Sequence, residues 1–229
     1  VASPALRNRD KPGATGLLVL APGAGLFSIA IALLWSPVPD WAVYAARNAV
    51  VASGVLLGFG WIATVGEHTN TIRPGRRLFA VAGSYLIIVQ TLALTNPAHH
   101  LFYTPVYAWR SEQLFALPLP LNLVHVFFIY FLALVACGLL LSDILTATDT
   151  RRTQSAILLV CIVPPLCLNV SHLLEITSFN WTPLGFVVTT LGIGWAVFRA
   201  DFLDIVPVGR SRAVRGMSDP VVAVDTDGR

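Results

Sequence analysis

The sequence predicts an all-α membrane protein, a polytopic bundle of helices that cross the bilayer. The 229 residues are 55% hydrophobic and only 12% charged, with a mean hydropathy of +0.72. A soluble domain carries about 25% charged residues, so half of the usual charge is missing. The apolar residues are gathered in runs of the length that a helix needs to cross a bilayer, which is about 20 residues.

Six such runs predict six membrane spans, each bounded by Pro, Gly or charged residues that end helices. The spans lie at 17–35, 42–65, 78–95, 121–145, 155–176 and 184–206. Pro22 and the pair Pro164–Pro165 lie inside spans, so kinks are expected there. The carbonyl groups that these prolines leave without a helical partner need hydrogen bonds from neighbouring helices or water. Trp35 and Trp41 lie at the ends of the first two spans, where interfacial aromatic residues are common.

The distribution of basic residues predicts the orientation. Twelve Arg and Lys residues lie before the first span, between the second and third, between the fourth and fifth, or after the sixth. The alternate loops carry one, Arg110. By the positive-inside rule, both ends of the chain are cytoplasmic in a multi-pass protein of the cell membrane. An even number of spans also puts both ends on the same side.

The segment after the last span predicts the start of another domain. Pro207 ends the last helix, because proline cannot continue it, and 207–220 is expected to be a cytoplasmic linker. The run VVAVD followed by Thr-Asp-Gly is typical of a strand that enters a turn. Residues 221–229 are therefore predicted to be the first strand of a truncated soluble cytoplasmic domain. Residues 1–16 are expected to form a cytoplasmic loop or tail, and the whole chain to be a piece of a longer protein.

Three segments resemble a known family. The ending FLDIVPVGRSRAVRGMSDPVVAVDTDGR resembles the junction between the seven-helix N-terminal sensor region of archaeal, haloarchaeal-type sensor histidine kinases and the PAS domain that follows it. The segments TNPAHHLF at 95–102 and NWTPLGF at 180–186 are also similar, and their order and spacing agree with the family. The resemblance implies seven helices in the parent protein, so one further helix is expected before Val1.

The resemblance also implies a function and partners. It identifies the chain as the membrane-embedded sensory input module of a two-component histidine kinase, with 221–229 as the start of an α+β PAS-like domain. The parent would be an ATP-dependent kinase that forms a homodimer through its kinase region and phosphorylates a cytoplasmic response regulator. ATP and Mg are expected only in that kinase domain, because this sequence has no phosphoacceptor-His helix and no Gly-rich ATP-binding boxes. The residues given are expected to hold no catalytic group and no cofactor, and to contact membrane lipids but no nucleic acid, because their arginines are dispersed.

Polar residues inside the predicted spans are the candidate site, because such residues are costly in a bilayer. Counted at 1.5 Å per residue, they gather within about 10 Å of the outer surface. They are Arg47, Asn48, His125, Asn169, His172 and Glu175. One interpretation is a ligand or signal pocket open to the outside, with Arg47 and Glu175 as an ion pair. The other is that these side chains reach towards headgroups or bond neighbouring helices. Both interpretations fit the sequence.

Charged residues where the last helix leaves the bilayer are the candidate signal exit. They are Arg199, Asp201 and Asp204, followed by Pro207. They either couple helix movement to the tail or are the charges that many helix ends carry. No metal site is predicted, because no two His residues are spaced i, i+4 on one helix.

Other classes of membrane protein fit the sequence less well. A retinal protein needs a lysine in a span to form a Schiff base, and the single lysine, Lys11, lies outside the spans. A transporter predicts repeated halves and broken helices with charged groups near the midplane. Pro164–Pro165 offers one break, but no carboxylate lies near a span centre. An intramembrane enzyme would need paired catalytic groups, for which only His172 and Glu175 qualify. A small-molecule transporter remains the alternative to a sensor.

Overall fold

The computed structural model describes residues 13–103, 120–147 and 149–199, and most of them are helical. The helices are α1 (Ala14–Leu34), α2 (Asp40–His68), α3 (Arg76–Leu94), the one-turn α4 (Asn96–His99), α5 (Pro120–Thr146), α6 (Asp149–Leu173) and α7 (Thr182–Arg199). No strand occurs in these three ranges. The predicted linker at 207–220, the predicted strand at 221–229 and the exit residues Asp201, Asp204 and Pro207 lie outside the described residues.

Five of the helices have the length and apolarity needed to cross a membrane. They are α1, α2, α3, α5 and α6. The helix α7 has 18 residues, and the apolar part within the described residues, Thr182–Ile193, is shorter than a span. The prediction of a multi-pass helical membrane protein is therefore confirmed with five spans, and the sixth span stays a prediction.

The central helix of the bundle is α2, which contacts α1, α3 and α5. The helix α5 in turn contacts α6, and α6 contacts α7. A smaller contact between α7 and α1 closes the circle. These five helices, α1, α2, α5, α6 and α7, form a ring, and α3 packs against α2 from outside. In the most apolar stretch of α2, 67% of the residues are buried, compared with 11% in α3. The ring encloses the space that the candidate site occupies.

Glycines allow α1 and α2 to pack closely. A Cβ atom added to Gly60 would lie 3.0 Å from the Cα atom of Leu20, and one added to Gly16 would clash with the backbone of Thr64. Small residues at such crossings let two helix backbones approach and gain dispersion energy, since lipid removes the hydrophobic drive for association. The start of α1 is also bonded, because the N–H of Gly13 donates to Glu67 Oε2 at 2.8 Å. The two helices are therefore joined from one end to the middle of the bundle.

The break in α6 at Pro165 is repaired by α7. Proline has no N–H, so the carbonyl of Cys161 loses its helical partner. The hydroxyl of Thr189 donates to that carbonyl at 2.5 Å. This approach requires Gly185, where an added Cβ would lie 2.5 Å from Pro165 Cα. The carbonyl freed by Pro165 therefore receives its hydrogen bond from a neighbouring helix, as the sequence predicts.

Candidate functional site

A cavity of about 140 Å³ lies inside the ring at the predicted outer end. We call it the upper chamber. Its polar lining consists of Arg47, Tyr103, Asn122, His125, Tyr130, Asn169, His172 and Asn180. No Asp or Glu of the described residues lines it. Trp35 also lines the chamber and is 41% exposed, so the chamber reaches the surface where α1 ends.

Arg47 brings a positive charge to the upper chamber from the third turn of α2. The residue is only 9% exposed. Its carbonyl accepts a hydrogen bond from Tyr103 Oη at 3.3 Å. Its guanidinium carbon lies 5.4 Å from the centre of the Tyr103 ring, within the range of a cation–π interaction. Burial raises the pKa of Tyr103, so the phenol stays protonated and remains a donor.

Asn96 explains why Tyr103 lies in the chamber. Its Oδ1 accepts hydrogen bonds from the N–H groups of Phe102 at 2.8 Å and Tyr103 at 3.0 Å. Its Nδ2 donates to the carbonyl of Tyr103 at 3.0 Å. One buried amide therefore turns the chain back after α3 and fixes the aromatic ring against α2. The segment 95–102, which carries part of the family resemblance, has this structural role.

His125 forms the wall on the side of α5. Its Nδ1 lies 3.1 Å from Tyr85 Oη of α3, and the two rings are stacked with centres 5.9 Å apart. On the other side, a Cβ added to Gly54 of α2 would lie 3.3 Å from His125 Nε2. Because Gly54 has no side chain, space is left between α2 and α5, and this space is part of the chamber.

A chain of hydrogen bonds forms the wall on the side of α6 and α7. Tyr130 Oη donates to Asn169 Oδ1 at 2.5 Å, and Asn169 Nδ2 donates to Thr182 Oγ1 at 3.1 Å. The side-chain oxygen of Asn180 accepts from the N–H of Thr182 at 3.1 Å, as a cap does at the start of a helix. The segment 180–186, also part of the family resemblance, therefore starts α7 and bonds it to α6.

A second cavity, of about 120 Å³, lies next to the upper chamber and reaches Pro165 in α6. We call it the lower chamber. It shares Phe27, Gly54, Ile129, Tyr130 and Asn169 with the upper chamber. The rest of its lining is apolar apart from Thr182, and comprises Leu57, Gly58, Trp61, Ala133, Ile162, Pro165, Leu166 and Phe186. The two chambers therefore lie side by side and share part of their walls, and the upper one carries more polar side chains.

The structure brings four of the six predicted site residues together. Arg47, His125, Asn169 and His172 all line the upper chamber. Asn48 is buried but does not line it, and its Nδ2 donates to the carbonyl of Tyr44 at 2.8 Å. Whether the four residues bind a ligand stays a prediction.

Glu175 lies elsewhere than predicted, because α6 ends at Leu173 rather than at 176. Glu175 is exposed and has a positive φ of 57° in the turn that follows. His172 holds this turn, since its Nδ1 lies 3.1 Å from the carbonyl of Thr177. Glu175 does not line the upper chamber, and the predicted ion pair between Arg47 and Glu175 is not present among the described residues.

A second polar group lies at the predicted cytoplasmic end, and we call it the Asp143 cluster. Arg151 forms an ion pair with Asp143 at 2.7 Å, and its Nε donates to the same carboxylate at 3.1 Å. Ser155 Oγ donates to Asp143 Oδ2 at 2.6 Å, and His68 Nε2 lies 2.9 Å from Ser155 Oγ. Arg151 also donates to the carbonyl of Thr69 at 2.8 Å. The cluster joins α2, α5 and α6.

The Asp143 cluster was missed by the analysis of the sequence. The sequence places Arg151 among the basic residues of the loop between the fourth and fifth predicted spans. Asp143, eight residues earlier, lies inside the fourth predicted span. An acid inside a span requires a partner, and this was the available signal. Arg151 and Ser155 both donate to the carboxylate of Asp143, so the cluster bonds α5 to α6. Within the described ranges, no group of three His, Cys, Asp or Glu residues is placed to hold a metal ion.

Comparison with known proteins identifies a family. No curated protein and no solved structure matches the chain. Residues 1–207 of the 229 match the family described as the N-terminal 7TM region of histidine kinase. This match covers every helix of the fold, while an archaeal origin and a PAS continuation remain predictions. The chain therefore belongs to the family of N-terminal 7TM regions of histidine kinases, which are membrane-embedded sensory input regions.

Proposed function

We propose that this chain is the sensory input module of a two-component histidine kinase and receives its stimulus in the upper chamber. The stimulus, external or within the membrane, is then relayed to cytoplasmic PAS and kinase domains. The observation that carries the proposal is that buried polar side chains from α2, α5, α6 and the segment after α4 converge on one cavity. Residues that only reach towards headgroups would face lipid or water instead.

Two helices connect the chamber with the predicted cytoplasmic end. The helix α6 carries Asn169 and His172 at the chamber and Arg151 in the Asp143 cluster. The helix α7 starts at the chamber wall with Thr182 and leads towards the tail. A ligand that binds two helix arrangements with different affinity shifts their populations. Occupation of the chamber would therefore change the position of both helices at the other end.

The proposal is tested by filling the cavity. Gly54 lines both chambers, and Gly54→Leu places a side chain between them. We expect autophosphorylation of the full-length kinase in membrane vesicles to change by about fivefold or more, which corresponds to a coupling free energy of about 1 kcal/mol.

Gly138→Leu is the matched control. Gly138 is an exposed glycine of α5, and a Cβ added to it meets nothing within 4 Å. This variant should change the phosphorylation rate by less than about twofold, since surface substitutions alter free energies by only about 0.5 kcal/mol. Equal rates for both variants, at equal amounts of protein in the membrane, would show that the chamber is not the input site.

A further inference from the structure

We infer that the lower chamber is a binding site for a small apolar molecule with about the volume of one aromatic ring. This site is different from the polar input site of the proposed function. Its occupation is measured as binding to the purified chain rather than as kinase output, so the two proposals fail in different experiments.

The walls of the lower chamber face the interior of the bundle. They come from α1, α2, α5, α6 and α7, and every described residue that lines the chamber is buried or half-buried. The groove between α1 and α7 differs, because Gly25, Val187 and Leu191 on its walls are exposed. A lipid chain in the membrane therefore meets the walls of this groove, but it meets no exposed residue of the lower chamber.

The lower chamber offers few partners to water. Apart from three polar side chains, its lining is apolar. These three side chains, Tyr130, Asn169 and Thr182, are joined to one another by hydrogen bonds. Among the described residues, the buried side-chain nitrogen and oxygen atoms that lack a hydrogen-bond partner all belong to residues outside this lining. An ordered water needs two to four polar partners, so the space next to Trp61 and Phe186 is expected to be dry.

The volume of the chamber limits the size of the ligand. A dry protein cavity of about 150 Å³ holds one benzene molecule, and the lower chamber has a volume of about 120 Å³. It therefore accepts up to about six non-hydrogen atoms. In a bilayer the drive for such binding is dispersion, because atoms that line an empty space lack contacts that a guest supplies.

The aromatic side chains of the chamber favour an aromatic guest. Phe27 and Phe186 meet edge to face, with ring centres 5.7 Å apart, and Trp61 lines the same space. A further ring gains contacts of this kind with its neighbours. The ligand class is therefore a compact hydrocarbon, with a single aromatic ring as its best member.

Binding is measured by tryptophan fluorescence with the purified chain in nanodiscs. The short alkyl bromide 1-bromopropane quenches tryptophan on contact, and the saturable part of the quenching that Trp61→Phe removes reports the lower chamber. Benzene, its polar isostere pyrazine and the larger mesitylene then compete with it at equal concentrations in the bilayer. We expect benzene to displace it about tenfold better than either, a free-energy difference of about 1.4 kcal/mol.

The two comparisons test different properties of the chamber. The nitrogen atoms of pyrazine lie on opposite sides of the ring, so at least one of them loses its hydrogen bond with water and gains none. Mesitylene has the polarity of benzene but exceeds the volume. Equal displacement by benzene and pyrazine, or the absence of saturable quenching that depends on Trp61, would overturn the inference.

Two variants change the size of the lower chamber alone, because Ala133 and Leu166 line it and do not line the upper chamber. Ala133→Leu should weaken benzene binding about tenfold, whereas Ala80→Leu, at an exposed position in α3, should leave it unchanged. Leu166→Ala should strengthen mesitylene binding about tenfold, a gain that a misfolded chain does not show. Equal losses in the two alanine variants, or no gain in Leu166→Ala, would contradict binding in this chamber.

Discussion

Asp143 is a charged residue that the bundle holds at a helix end with only 9% of its side chain exposed. Its carboxylate accepts hydrogen bonds from Arg151 and from Ser155. Such bonds offset the cost of removing the charge from water, and the loss of one charged partner leaves the other uncompensated. The cluster is therefore sensitive to single substitutions.

Two adjacent arginines provide a matched test of the cluster. Arg151→Gln should lower the free energy of unfolding by about 2–3 kcal/mol, somewhat less than for a fully buried pair, since the Arg151 side chain is 21% exposed. Arg152 is exposed, and Arg152→Gln should change that free energy by less than about 0.5 kcal/mol. Unfolding by dodecyl sulfate in a fixed detergent measures both. Similar values for the two variants would mean that the ion pair adds nothing to stability.

Single residues also show what could be predicted from the sequence. The position of a residue along its apolar run was enough to group Arg47, His125, Asn169 and His172 at one depth in the membrane. This works because each residue of a helix advances by a fixed distance along the helix axis. It failed for Glu175, since the end of α6 depends on a positive φ at a residue that is neither Gly nor Asn. The contact between His68 and Ser155 joins residues 87 positions apart, and no local pattern reveals such a pair.

At the scale of elements, α6 depends on α7 for one of its backbone hydrogen bonds. Thr189→Val keeps the shape of the side chain but leaves the carbonyl of Cys161 without its donor. We expect the free energy of unfolding to fall by about 1–2 kcal/mol, as for interhelical hydrogen bonds in membranes. The neighbouring Thr190 bonds the carbonyl of Phe186 in its own helix, so Thr190→Val should have little effect. A change of equal size in both variants would contradict the repair of the proline break.

The helices themselves were predictable, because long apolar runs leave few alternatives in a bilayer. The start of α6 was not predictable, since the pattern of charged residues at 149–154 is typical of a loop between two spans. In the structure they form the first turns of α6, because Arg151 and Ser155, four residues apart on one face, bond the same carboxylate. A tertiary contact extends this helix beyond its apolar run.

At the scale of the whole molecule, the orientation in the membrane remains the main prediction to test. The twelve-to-one asymmetry of basic residues predicts that both ends of the chain lie inside the cell. With the three native cysteines replaced by alanine, single cysteines at Thr71 and Thr150 should be labelled only from the cytoplasmic side. Single cysteines at Ser36 and Ser178 should be labelled from outside. All four positions are exposed, and the reverse labelling pattern would invert the topology.

The Asp143 cluster joins α2, α5 and α6, and its described hydrogen bonds involve no residue of the stretch Thr182–Ile193 of α7. Among the described side chains of α7, Thr189 forms the last hydrogen bond to another helix, and Ile193 below it is held by apolar contacts alone. Thr189 is therefore the lowest point at which a described side chain of α7 is hydrogen-bonded to another helix, and a tilt of α7 can pivot there. At 1.5 Å per residue, the arm from Thr189 up to Thr182 is about 10 Å and the arm down to Arg199 about 15 Å. A tilt about this pivot carries the lower end in the opposite direction and half as far again as the upper end.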